Sequence, residues 1–95
     1  RRLKKVYCVL VRNQMRLNQL SIATIDDKHK LSILVLRKYR IRDYDNLVGG
    51  CKQLIDALTA EGFIYDDDTK FIGIPTIGQE KASEDSVIIT RTLID

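Results

Sequence analysis

Ninety-five residues suffice for one domain, taken here as 1–95, and are too few for two. With 44% apolar and 31% charged residues the chain reads as an ordinary soluble globular domain. No apolar stretch nears the roughly 20 residues that span a bilayer, and the basic start leads to no signal-peptide cleavage pattern, so no membrane partner and a cytoplasmic location are expected.

The net charge of +3 hides a polarised chain. Residues 1–42 carry twelve Lys/Arg against Asp26 and Asp27, while residues 43–95 carry four Lys/Arg against eleven Asp/Glu. Such asymmetry points to a polyanion partner and to carboxylates gathered elsewhere in the same molecule. Cys8 and Cys51 form no C-x-x-C pair, and with a single histidine, His29, they cannot build a structural zinc site. Free, largely buried thiols are expected.

Leu3, Val6, Tyr7, Leu10 and Gln14 follow helical spacing, which predicts a first helix from about Arg2 to Leu20. Arg1, Lys5, Arg12 and Arg16 make a basic stripe along it. The run Val6 to Val11 is rich in β-formers, so a strand is the competing reading there. Ser21 to Lys28 is polar and reads as a loop. Leu31 to Arg40 reads as a strand, apolar on both faces in its middle and therefore central in a sheet.

Asp43 or Asp45 can cap a second helix that runs to about Glu61 and stops at Gly62. Leu47, Cys51, Leu54 and Leu58 form its core stripe. Phe71 to Ile77 and Ser86 to Ile94 read as strands, joined by the polar stretch Gly78 to Asp85 as an antiparallel hairpin. The order is helix, strand, helix, strand, strand: an α+β domain with a small mixed sheet packed against two helices.

Two acidic groups stand out: Asp43 with Asp45, and Asp66-Asp67-Asp68. If the strand persists to its end, residues two apart share a face, and the loop after the second helix can return the later aspartates to the same sheet edge. Carboxylates without His or Cys suit a hard cation such as Mg²⁺ and phosphoryl chemistry. The bland account is that Asp43 or Asp45 caps a helix and the D-D-D run is a solvated turn. The D-x-[DN]-x-[DN]-G pattern of an EF-hand is absent, and so is the G-x-x-x-x-G-K-[ST] of a nucleotide-binding loop.

Asp45, Lys52 and Asp56 share a helical stripe roughly opposite the leucines. Lys52 and Asp56 form a surface ion pair on one reading; on the other, the Lys52 ammonium neutralises charge building on a phosphate. Gly49-Gly50 costs about 1 kcal/mol per glycine inside a helix, a cost that close approach of another backbone, a partner subunit or DNA would explain. Arg37, Lys38, Arg40 and Arg42 run straight into Asp43 and, with Arg12 and Arg16, are candidates for phosphate contact. Tyr39 and Tyr44 interleave with this charge; packing against the sheet is favoured over stacking on a base.

The stretch Asp43-x-Asp45-Asn46-Leu47-x-Gly49-Gly50-x-Lys52-x-x-x-Asp56-Ala57-Leu58, then Gly62-Phe63-Ile64-x-Asp66-Asp67, resembles the signature of RusA-type crossover-junction endodeoxyribonucleases, which are common in prophages. The resemblance covers about 25 residues densely and the flanking elements more loosely. It implies a homodimer of bacterial or phage origin that binds four-way (Holliday) DNA junctions and nicks two strands symmetrically with Mg²⁺, Mn²⁺ being a possible substitute.

By position Asp43, Asp45 and Asp67 match the family's essential aspartates, with Asp66 or Asp68 as register alternatives. Lys52 matches a lysine needed for cleavage; in family members with a shorter motif helix that lysine falls where this chain has Gly49. Asp56 matches a family position whose role can be structural. The family usually opens with an apolar strand and a polar Pro/Asn loop, whereas this sequence begins at Arg1-Arg2-Leu3, so that strand is expected to be missing here. A non-catalytic module that binds junctions or other nucleic acid is the alternative function.

Overall fold

The computed structural model describes residues 2–94. In chain order it contains helix α1 (Arg2–Leu17), strand β1 (His29–Arg37), helices α2 (Tyr44–Gly50), α3 (Lys52–Ala60) and α4 (Thr69–Ile72), and strands β2 (Thr76–Lys81) and β3 (Ser86–Leu93). The fold is α+β with a three-stranded mixed sheet in the order β2-β1-β3. As its apolar middle predicts, β1 is the central strand. Among the described residues no helix is long and apolar enough to cross a membrane.

The first segment is helical, and its buried face is shifted by one position from the predicted stripe. Val11 and Met15, spaced i and i+4, enter the core, while Leu3, Val6 and Leu10 stay half-exposed. Leu31 and Ile33 of β1 are almost fully buried and meet Leu54 and Leu58 of α3, Phe63, Ile64, and Phe71 and Ile72 of α4 in one cluster. Each such side chain contributes about 1.5–3 kcal/mol by leaving water. The opposite face of β1 carries Lys30, Ser32, Leu34 and Leu36, outside that cluster.

The predicted second helix is real but jointed. Asp43, extended at φ −98° and ψ 121°, caps α2 by accepting the Asp45 N–H. After Gly49-Gly50 the Cys51 N–H bonds to the Val48 carbonyl at 3.0 Å, a tighter turn than α-helical, and α3 resumes from there. A Cβ on either glycine would meet nothing within 4 Å among the described residues. The helix ends as its glycine predicts. Gly62 takes φ +82°, Phe63 N–H returns to the Leu58 carbonyl at 2.9 Å, and a Cβ at Gly62 would lie 2.5 Å from Ile22 Cγ2.

Phe71 to Ile77 does not form a strand. Asp68 accepts the Lys70 N–H and caps the single turn α4, which buries Phe71 and Ile72 and ends at Gly73 (φ +61°). The strand begins only at Thr76, after Pro75. Nor do the last two strands make a hairpin. β2 lies parallel to β1, with Ile33 beside Ile77, and β3 lies antiparallel to it, with Ile33 beside Ile89, on the other flank. The link of residues 82–85 spans the end of β1, held by Ala82 N–H to the Arg37 carbonyl and by Lys38 N–H to Asp85.

Candidate functional site

The end of β1 leads into the acidic motif. Strand pairing stops at Arg37, so Asp43 and Asp45 do not share a strand face as the sequence spacing suggests. They are instead the cap and first-turn residue of α2, joined by the Asp43 Oδ1 bond to Asp45 N–H at 3.0 Å, and both are exposed. The approach segment is pinned through Ile41. Its N–H donates to Gln79 Oε1 at 2.9 Å, and its carbonyl accepts from Gln79 Nε2, which ties the segment to β2.

The later aspartates occupy the turn between α3 and α4. Asp67 N–H donates to Asp66 Oδ1 at 2.8 Å, and Asp68 is committed to capping α4. The Asp67 carboxyl is held above its ordinary range, first by its hydrogen bond with the Asp66 side chain, then by partial burial and by the negative charges of Asp66 and Asp56. Asp66 and Asp56 are therefore carboxylates whose charge Asp67 feels.

Whether these side chains fit a cation can be tested directly. Among the described residues, no group of three or more His, Cys, Asp or Glu side chains stands close enough to hold a metal ion. Asp43, Asp66 and Asp68 each spend an oxygen on a main-chain N–H nearby in sequence. Among the described residues of the lone chain, the aspartates do not converge into a site of three carboxylates.

The basic residues divide. Arg12 is bound by Glu61 in a bidentate pair, Nε to Oε1 at 2.8 Å and Nη2 to Oε2 at 3.1 Å, so its charge is spent inside the domain. Glu61 is held below its ordinary range chiefly by that hydrogen bond. Arg16 donates to Asn13 Oδ1. Arg37 is half-buried and donates to the Tyr39 carbonyl, while Lys38, Arg40 and Arg42 are exposed. Among the described residues none of these four has a carboxylate within 4 Å. Lys52 is exposed at the start of α3, and the ion pair with Asp56 that one of its two readings offered does not form among the described residues. Arg1 lies outside the described residues.

Tyr39, expected to pack, is 82% exposed beside the free cations. Tyr44 starts α2, and its side chain lies outside the described residues. Both thiols are free, Cys51 buried and Cys8 half-buried.

Sequence reasoning missed the arginine at 91. It donates to the Phe63 carbonyl at 2.8 Å and to the Ser21 carbonyl at 2.7 Å, and lies over the Phe63 ring. Its position in an alternating strand gives no hint of this, because all three partners come from distant segments. No protein-family model matches the chain, and neither a curated protein nor a solved structure does.

Proposed function

We propose that this chain is an endonuclease for branched DNA, resolving four-way junctions by paired phosphodiester hydrolysis in recombination and repair. The observation that supports it most is a juxtaposition. Arg37, Lys38, Arg40 and Arg42, without a carboxylate within 4 Å among the described residues, lead off the central strand directly into exposed Asp43 and Asp45 at the start of α2. A duplex presents a phosphate charge about every 1.7 Å of its axis, and a row of unpaired cations holds that backbone where the carboxylates stand. Exposed Tyr39 adds an aromatic face to the same rim.

The motif implies Mg²⁺, with Mn²⁺ as substitute. The resemblance assigns the roles of Asp43, Asp45, Asp67 and Lys52, and no three-carboxylate group forms among the described residues of the lone chain. The test is a synthetic four-way junction incubated with protein and Mg²⁺. Nicked duplex products are expected from the wild type, and Asp45→Asn is expected to bind without cutting. Intact junctions across pH and metal choice would remove the enzyme reading.

One finding favours a second reading, a non-catalytic binding module: Asp43 and Asp68 already cap helices, and Asp66 accepts the Asp67 N–H in its turn. Titration with Mn²⁺ in the presence of junction separates the two, since the module predicts no metal-dependent signal.

A further inference from the structure

The stretch that carries Lys38, Arg40 and Arg42 has no regular structure to hold it. Between the end of β1 and the start of α2, residues 38–43 belong to neither helix nor strand, and five of the six are exposed. The three cations repel one another, and a like-charged run on an exposed connection is ordinarily mobile. Among the described residues, no main-chain group of 38–42 hydrogen-bonds to another main-chain group.

Side chains hold the stretch instead. Asp85, from the link between β2 and β3, accepts the Lys38 N–H at 2.9 Å, and Arg37 Nε donates to the Tyr39 carbonyl at 3.3 Å. The firmest hold is at Ile41, the one half-buried residue of the stretch. Gln79 Oε1 accepts the Ile41 N–H at 2.9 Å, and Gln79 Nε2 donates to the Ile41 carbonyl. A primary amide carries an acceptor and a donor side by side, so it satisfies both main-chain groups of one residue as a neighbour in an antiparallel ladder would. Glutamate at neutral pH lacks the donor, and lysine lacks the acceptor.

The clamp is built on the sheet, because Gln79 stands beside Val35 of the central strand in the β1–β2 register. Beyond Ile41 the chain enters α2, which comes near only α3 and β2 among the helices and strands. One side chain therefore fixes, against the same strand, both the run of cations and the start of the helix that Asp43 caps. We propose that Gln79 is a positioning residue for a phosphate backbone: its paired hydrogen bonds to Ile41 hold Lys38, Arg40 and Arg42 in place before nucleic acid arrives.

The proposal rests on the DNA-binding part of the reading above and not on hydrolysis. Ordering a loop at the moment of binding subtracts from affinity, and Gln79 removes that loss by ordering it in advance. A wild type that binds junctions tightly but leaves them intact sinks the nuclease reading and keeps the role of Gln79. A wild type that cuts junctions, with an affinity indifferent to the loss of Gln79, does the reverse.

The experiment uses Gln79→Leu in the full chain, which removes both bonds, keeps most of the side-chain bulk and leaves every cation in place. Its first arm needs no DNA. Trypsin cleavage of the Arg40–Ile41 bond is expected to speed by about tenfold as the clamp is lost, and exchange of the Ile41 amide, followed by NMR, to speed with it. Cleavage after Lys28, exposed in the loop before β1, is expected to keep its wild-type rate; a general loss of stability would speed both. The second arm is binding of a synthetic four-way junction over a range of salt. Affinity is expected to fall about tenfold with an unchanged salt slope, because the number of phosphate contacts stays the same. Should Gln79→Leu not fold, Gln79→Glu keeps the Ile41 N–H bond, sets a carboxylate against the Ile41 carbonyl and is expected to speed the same cleavage. Unchanged cleavage at Arg40–Ile41, an unchanged junction affinity, or a wild type that binds no DNA overturns the proposal.

Discussion

Asp43 has a structural job that can be weighed apart from chemistry, and two substitutions separate them. Its side chain makes one cap bond, 3.0 Å from the Asp45 N–H, at the head of a seven-residue helix that buries Leu47. Asparagine caps about as well as aspartate but lacks the charge that favours a helix N-terminus, a loss of roughly 0.5 kcal/mol at an exposed site. Alanine also loses the bond, for a total near 1.5 kcal/mol. With a urea slope of about 1.5 kcal/mol/M for a domain of this size, the unfolding midpoint should fall by about 0.3 M for Asp43→Asn and about 1 M for Asp43→Ala.

Junction cleavage should not follow that order. If the carboxylate takes part in hydrolysis, both variants lose cleavage while Asp43→Asn stays folded and bound. Wild-type cutting by Asp43→Asn would reduce Asp43 to a cap. Equal stability of the two variants would refute the cap argument itself.

Three further outcomes test the packing and the charges. Gly62→Ala forces a left-handed conformation on alanine and drives a methyl to 2.5 Å from Ile22 Cγ2, so thermal denaturation should show a loss of more than about 1 kcal/mol. Glu61 is depressed by Arg12, so the pair's contribution is present above the ordinary glutamate range and lost as pH falls through the lower folded value. The gap in urea midpoint between wild type and Glu61→Gln should therefore be visible at neutral pH and close on the acid side of about pH 4. Asp67→Asn relieves repulsion from Asp66 and Asp56 and should raise the urea midpoint at neutral pH while abolishing junction cleavage. A lowered midpoint would show that Asp67 stabilises its turn.

Much of the fold is written in local signals. The apolar middle of β1, the cap at Asp43 and the stop at Gly62 each act within a few residues, and each appears where spacing places it. The misreading at Phe71 to Ile77 also had local remedies. Asp68 is a good cap, and Gly73 followed by Pro75 breaks the segment before Thr76. Apolar content alone could not tell a buried turn from a strand. The false hairpin is different in kind. A four-residue link suits a hairpin, and only β1, laid down more than forty residues earlier, separates β2 from β3.

The candidate site divides along the same line. Which residues approach one another along the chain is fixed by spacing: Arg42 beside Asp43, Asp66 beside Asp67. Whether the two acidic groups meet depends on where the turn after α3 folds back, and that turn is set by burial of Ile64, Phe71 and Ile72, not by charge. In this packing Asp67 stands within the field of Asp56, eleven residues from Asp45 along the same jointed helix. The joint at Gly49-Gly50 is a place where that separation can change, because a Cβ on either glycine would meet nothing within 4 Å among the described residues. Replacing both glycines with alanine should therefore stabilise the helix by up to about 1 kcal/mol per residue. If junction cleavage survives that stiffening, the acidic groups do not need the joint to come together; if it is lost while binding stays, the motif spends helix stability on bringing them into reach.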